Sequence, residues 1–313
     1  VNLTVELAPH AKRSLRLRNP VMTASGTFSN GLEYAKLIDV QRLGAIVSKG
    51  TTLEPRRGSP QTRTVETAAG MLNSIGFQNI GVHSLIRDVA PVWAGWDVPA
   101  IVNILGDSTR EYAELGGMLD DVPGVAALEL NISCPNLDIG GMEFGVDPRS
   151  AAEVVRATMQ ATTLPVIVKL TPNVTDIVPI AQAVAEAGAD ALCVANTLLG
   201  MAIDTRRRRP VLNRGVGGLS GPAVKPVILR MVYQVAHAVH VPVIASGGVT
   251  TGLDAVEYLL AGASAVQVGT ATFRNPRAPL DVLDGLEQFM CEEGIDDVQE
   301  LIGAAQPATA AWA

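Results

Sequence analysis

Chemistry in this sequence concentrates on Asn131-Ile132-Ser133-Cys134-Pro135-Asn136, where a thiol lies between two asparagines. A free thiol has a pKa of about 8.5, so some thiolate is available near neutral pH and Cys134 can act as a base. The usual fate of a free cysteine is that of a small buried hydrophobe. That reading suits Cys193, in the middle of an apolar run, and Cys291, late in a helical stretch, but not Cys134, whose neighbours are polar. Lys49 and Lys169 each close an apolar run. A lysine facing inward at such a point is costly without an anion, so each calls for a negatively charged ligand or, as the plainer reading, a structural salt bridge. Ser246-Gly247-Gly248-Val249 and Gly269-Thr270 place small residues before helical stretches. Glycine lets backbone N–H groups approach a phosphate, and a helix N-terminus favours its charge. The plain alternative is a pair of ordinary glycine turns.

These groups must be positioned by the apolar runs that precede them. Ala127–Leu130 reads as a buried strand, and Pro135, which has no N–H, stops its pairing. Leu137 to Pro148 carries Gly140, Gly141 and Gly145, the composition of a mobile loop able to close over Cys134. Short Val, Ile and Ala-rich runs recur at Val21–Ala24, Ala45–Ser48, Ala100–Asn103, Val125–Leu130, Val166–Lys169, Ala191–Ala195, Val243–Ala245 and Ala265–Val268. Between them lie helical patterns: Leu32–Ile38, a stretch before Ala100, one from Thr109, Pro148–Ala161, one capped by Thr175 and ended by Gly188, Pro222–His237, Leu253–Leu260 and Leu280–Met290. Continuous apolar strands alternating with amphipathic helices predict an α/β fold with a parallel sheet, and about eight such units predict a (β/α)8 TIM barrel. An open doubly wound sheet is disfavoured, because no G-x-G-x-x-G follows the first strand. Leu3–Leu7 and Leu15–Leu17 predict an N-terminal hairpin, and Thr52–Asn79 and Leu198–Leu219 are inserted excursions. Residues 1–313 are expected to form a single domain. The barrel predicts that active groups gather at strand C-termini; Ser25, Lys49, Asn103, Asn131, Cys134, Lys169, Asn196, Ser246 and Thr270 all lie there.

Composition narrows the classes. The 313 residues are 48% hydrophobic and 18% charged, enough for a large core, and the net charge of -7 argues against broad affinity for nucleic acid or an anionic membrane. Glu186, Asp190 and Asp204 interrupt the long apolar stretches, and the alternating first residues do not read as a signal peptide. The three cysteines are far apart, which predicts a reducing cytoplasm and no iron–sulfur cluster held by this chain. His10, His83, His237 and His240 lack metal-ligand spacing, so no metal is expected.

The Asn131–Asn136 segment, with Lys49-Gly50, Asn73-Ser74-Ile75-Gly76, Ala195-Asn196-Thr197, Ser246-Gly247-Gly248 and Gly269-Thr270, resembles the dihydroorotate dehydrogenase family, over nearly the whole chain and in the family's order. The resemblance is strongest to the catalytic subunit of the NAD-dependent, class 1B type. Cys134 stands where the quinone-using class has serine, and no helical extension precedes the barrel. Leu137-Asp138-Ile139-Gly140-Gly141 differs from the Pro-Gly-Lys-Pro run of the fumarate-using type, and Gly218-Leu219-Ser220-Gly221-Pro222-Ala223-Val224-Lys225-Pro226 is similar to the NAD-dependent type.

The resemblance implies oxidation of (S)-dihydroorotate to orotate in pyrimidine biosynthesis, with FMN accepting a hydride from C6 and Cys134 taking the C5 proton. It implies that Lys49, Asn73, Ser74, Ile75, Gly76, Phe77, Asn131, Asn196 and Thr197 read the substrate, with Asn136 as a further contact. It assigns Ser25, Lys49, Gly50, Asn103, Asn131, Lys169, Ala195, Gly221, Gly247, Gly248, Gly269 and Thr270 to FMN. Asparagine suits orotate because its side chain offers a donor and an acceptor together. Electrons are expected to leave through a partner subunit carrying FAD and a [2Fe–2S] cluster, in a heterotetramer built on a homodimer of this chain. Three alternatives stay open: a fumarate-using dihydroorotate dehydrogenase, another FMN-dependent pyrimidine oxidoreductase, and a non-catalytic phosphate-binding barrel. Arg206–Arg209 reads as a solvated loop tip, and Trp93 and Trp96 as packing for the helix before the third strand or as a partner surface.

Overall fold

The computed structural model describes residues 1–133, 135–136 and 142–306, with the backbone alone at 135, 136, 142 and 143. Its centre is an eight-stranded parallel sheet whose strands follow chain order: β1 (Val21–Thr23), β2 (Ile46–Val47), β3 (Ala100–Ile104), β4 (Val125–Asn131), β5 (Val166–Lys169), β6 (Ala191–Val194), β7 (Val243–Ser246) and β8 (Ala265–Val268). β8 pairs with β1, and a parallel bridge between Met22 and Ala45 joins β1 to β2. The sheet is therefore a (β/α)8 barrel. All residues of these strands except the partly buried Ala126 are buried, as expected when one face looks into the barrel and the other is covered by helices.

The helices are set by local chemistry. Ser108 caps α1 (Thr109–Leu119) by accepting from Glu111 N, and Asp147 caps α2 (Pro148–Ala161) by accepting from Ser150 N. α3 is Val178–Glu186 and α4 is Lys225–Ala238, the latter preceded by a tight 3-10 turn at Pro222–Val224. α5 (Gly252–Leu260) starts with a capping box between Thr251 and Asp254, and α6 (Ala278–Glu293) stops at Gly294 in the left-handed region. Over residues 82–93 the helix widens to π geometry at Leu85–Val89, next to Pro91, whose missing N–H interrupts the regular ladder.

Several details differ from the sequence reading. Thr175 does not cap α3; the side chain that accepts from Val178 N is Asp176. The stretch Leu32–Ile38 yields only a 3-10 turn at Tyr34–Lys36, and Cys291 is exposed rather than packed, because it lies one residue beyond the apolar stripe that ends at Met290. Trp93 belongs to the core and donates from Nε1 to Asn30 O, while Trp96 packs against that core. The tip at Arg206–Arg209 is exposed. Of the predicted mobile loop Leu137 to Pro148, residues 137–141 lie outside the described residues, whereas Phe144–Val146 is a 3-10 turn with Phe144 buried edge-on against Tyr112 and Gly145 N donating to Ile132 O.

The two excursions are not separate. Thr64–Thr67 and Gly70–Asn73 form one hairpin, Leu198–Met201 and Val216–Ser220 pair as a second antiparallel ribbon, and Val216–Ser220 pairs with Gly70–Asn73. A four-stranded antiparallel sheet thus stands on the C-terminal rim of the barrel. On the outer layer, α5 and α6 meet without side chains between them: a Cβ on Gly252 would fall 2.3 Å from the backbone carbon of Gly285. Gly252→Ala is therefore expected to lower stability by about 1–3 kcal/mol, read as a lower denaturant midpoint with unchanged slope.

Candidate functional site

A cavity of about 400 Å³ opens at the C-terminal rim, between the barrel mouth and the four-stranded sheet. Ser25, Lys49, Gly50, Asn103, Asn131, Lys169, Ala195, Asn196, Ser246, Gly247, Gly248, Gly269 and Thr270 all border it from the ends of barrel strands. The excursion sheet and its loops contribute Asn73, Ser74, Ile75, Gly76, Phe77, Thr197 and Gly221. Cys134 and the side chain of Asn136 lie outside the described residues; the neighbouring Ser133 borders the cavity.

The asparagines form a connected group. Asn196 Nδ2 donates to Asn131 Oδ1 and to Ser133 Oγ, each at 3.1 Å, and Asn131 Oδ1 also accepts from Ser133 N at 3.2 Å. Tyr112, buried beneath, donates its hydroxyl to Asn131 O, which fixes the end of β4. Asn73 Nδ2 reaches Gly218 O at 3.3 Å, so the first excursion's asparagine is anchored by the second. Phe77 adopts φ +56 and Gly76 φ +72, a tight turn that brings the 74–77 backbone to the cavity wall.

The two lysines differ. Lys49 has no carboxylate partner among the described residues, and burial, then the positive charge of Arg63, lowers its pKa below the ordinary lysine range. A cavity-lining ammonium without a counter-ion suits an anionic ligand. Lys169 is instead in an ion pair: its Nζ is 3.6 Å from Glu129 Oε1 and donates to Gln267 Oε1 at 3.0 Å. Burial pulls its pKa down most strongly of any one cause, but the charge and hydrogen bonding of Glu129 together with Cys193 outweigh it and raise the pKa. The plainer reading of Lys169 as a salt-bridge residue is thus realised, although the residue still lines the cavity. Cys193 is fully buried, and burial, reinforced by Glu129, raises its pKa so that it stays a thiol, as its packing role requires.

At the other end of the cavity, glycines make a close-fitting cradle. Gly248 has φ +72, and a Cβ there would come within 2.8 Å of Lys225 Cβ and 2.9 Å of Gly221 O. The N–H groups of Gly248 and Gly269 meet no acceptor among the described residues, whereas the Thr250 and Thr251 amides are already taken by Asp254 Oδ2. The carboxylate of Asp254 is buried, which works against its ionisation, but Lys225 and the Thr250 and Thr251 donors hold its pKa down to about 2. The Thr250 and Thr251 amides are therefore not free for an anion, whereas the glycine amides beside them are available donors. Asn103 Oδ1 is buried, borders the cavity and has no donor among the described residues. An orphaned acceptor, cationic side chains and free glycine amides together fit a planar phosphorylated heterocycle such as FMN.

Sequence reasoning missed Glu129, Gln267 and Asn173. Asn173 donates to Thr197 O and accepts from Leu199 N, tying the end of β5 to the second excursion. Glu129 and Gln267 had a signal: each is a polar residue inside an otherwise apolar strand. Among the described residues no three metal-ligating side chains cluster, and no helix is long and apolar enough to cross a membrane.

Comparison with known proteins agrees with this geometry. The family model for dihydroorotate dehydrogenase matches residues 11–290. The chain is 55% identical over 305 residues to a protein of Pelobacter propionicus named dihydroorotate dehydrogenase B (NAD(+)), catalytic subunit, covering 97% of this chain and 99% of that one. A protein of the same name from Trichlorobacter lovleyi is 57% identical over 293 residues, covering 94% of this chain and 96% of the relative. With the family model spanning most of its length and both relatives aligned almost end to end, the chain belongs to the dihydroorotate dehydrogenase family.

Proposed function

We propose that this chain is the catalytic subunit of an NAD-dependent dihydroorotate dehydrogenase, oxidising dihydroorotate to orotate in pyrimidine biosynthesis. The observation that carries the reading is one cavity lined both by Lys49, which has no carboxylate partner among the described residues, and by the bonded group Asn131, Ser133 and Asn196. Lys49 supplies the charge for a carboxylate, and the amides supply paired donors and acceptors for a planar ring. FMN, when bound, supplies the hydride acceptor for C6 of the substrate. Its holders are Lys169, Asn103 and Ser25 at the barrel mouth and Gly247, Gly248, Gly269, Thr270 and Gly221 at the cradle. Cys134 takes the C5 proton. The four-stranded sheet walls the cavity on the side away from the barrel and keeps water from the reacting face.

The relatives are named as catalytic subunits, which supports a separate electron-transfer subunit for this chain. We assign FAD and a [2Fe–2S] cluster to that subunit, in a cytoplasmic heterotetramer around a homodimer of this chain.

Anaerobic mixing of the yellow protein with L-dihydroorotate should bleach the flavin absorbance, and persistent colour in FMN-loaded protein would refute the substrate. Reoxidation by NAD+ should require the partner subunit. Cys134→Ala should slow the bleaching by about 10²–10⁴-fold in stopped-flow, with little change in orotate affinity. Orotate needs Lys49 protonated, so its affinity should be highest at neutral pH and fall as pH rises through the lowered Lys49 pKa, earlier than an ordinary lysine would allow. Lys49→Met should abolish that alkaline limb and weaken orotate by about 10–150-fold, measured by titration across pH.

A further inference from the structure

Glu129 has no solvent exposure and lies one layer below the cavity floor, in β4. A carboxylate can only accept hydrogen bonds, and both oxygens here are engaged. Asn103 Nδ2 donates to Oε1 at 2.7 Å, and Gln267 Nε2 donates to Oε2 at 2.6 Å. Because the NH2 end of each amide must face the carboxylate, the carbonyl end must face away from it. Asn103 Oδ1 is thereby left as the buried, unpartnered acceptor at the cavity, and Gln267 Oε1 is turned to receive Lys169 Nζ and the Cys193 thiol. Asn103, Gln267, Lys169 and Cys193 come from four different strands, and all are at most 5% exposed. One carboxylate thus fixes the direction of two amides and compensates one ammonium.

We propose that Glu129 is a positioning residue that sets the polarity of the cavity floor: it presents Asn103 Oδ1 as an acceptor for an N–H of the bound heterocycle and holds Lys169 as a compensated cation. This rests on the reading of the cavity as an FMN site. Replacing Glu129 by a neutral amide of the same shape would face one of the two amides with a donor and turn it, and would leave Lys169 without its counter-charge.

The test uses the full chain stripped of flavin, titrated with FMN, followed by the midpoint potential of the loaded protein. Wild type binds FMN tightly; Glu129→Gln weakens binding by about 10–100-fold. Glu129→Gln also raises the midpoint potential, because a negative charge has left the floor, and adding Lys169→Met returns the potential towards the wild-type value. A merely structural role for Glu129 would weaken FMN binding without that rise in potential. A folded Glu129→Gln protein with wild-type affinity and potential overturns the proposal. If Glu129→Gln does not fold, the pair Glu129→Gln/Lys169→Met, which leaves no buried charge unpaired, is compared with Lys169→Met. Weaker FMN binding in the pair supports the proposal, and equal binding overturns it. Failure of wild type itself to bind FMN would refute the cofactor reading, and this inference with it, and is told apart by being seen before any variant is made.

Discussion

An ionised carboxylate buried inside a barrel is tolerable only if its lone pairs are filled and its charge is matched. Glu129 meets both conditions through Asn103, Gln267 and Lys169, which arrive from β3, β8 and β5. The strands must therefore hold one register around the barrel, since a shift of a single residue would turn any of these side chains outward. Register in turn decides which residues emerge at the C-terminal rim. Asn131 follows Glu129 at the next inward position of β4, and it stands level with Lys169 of β5 in the sheet ladder. The polar layer inside the barrel and the chemical groups at its mouth are two levels of one constraint.

Above that layer the cavity divides its labour. Its lining combines an ammonium without a carboxylate partner among the described residues, a group of linked amides, and glycine N–H groups with little side-chain bulk around them. The capping of α5 by Asp254 sharpens this division, because it removes the Thr250 and Thr251 amides from competition and leaves the glycines as donors. The side of the cavity away from the barrel is closed by the excursion sheet, to which Thr197 and Asn73 bring polar side chains from segments far apart in the chain.

Strand ends were legible because a parallel strand buried on both faces is a plain apolar run, and the first polar residue after it marks the rim; Lys49, Asn103, Asn131 and Lys169 were all found in this way. The pairing of the two excursions was not legible, since Gly70–Asn73 and Val216–Ser220 have no local pattern that names their partner. The partner of Lys169 was hidden for a related reason: Glu129 lies in an apolar strand, and only closure of the barrel brings the two together. The misplaced cap at Thr175 reflects two adjacent residues that can both accept from a helix N-terminus, with the choice made by where the first turn begins. The exposure of Cys291 was readable in principle, because the buried positions Leu283, Leu286 and Met290 of α6 set a helical phase that leaves it outside.

The sheet that joins the two excursions has a consequence for the order in which the molecule assembles. Asn73 and Gly218, hydrogen-bonded across it, are separated by 145 positions in the chain. Loop-closure entropy makes that pairing costlier to close than those between the barrel strands lying between them, whose contacts are nearer in sequence. During synthesis the first hairpin, Thr64–Asn73, emerges well before its partner segment, so its Gly70–Asn73 edge stays without that pairing until Val216–Ser220 has followed.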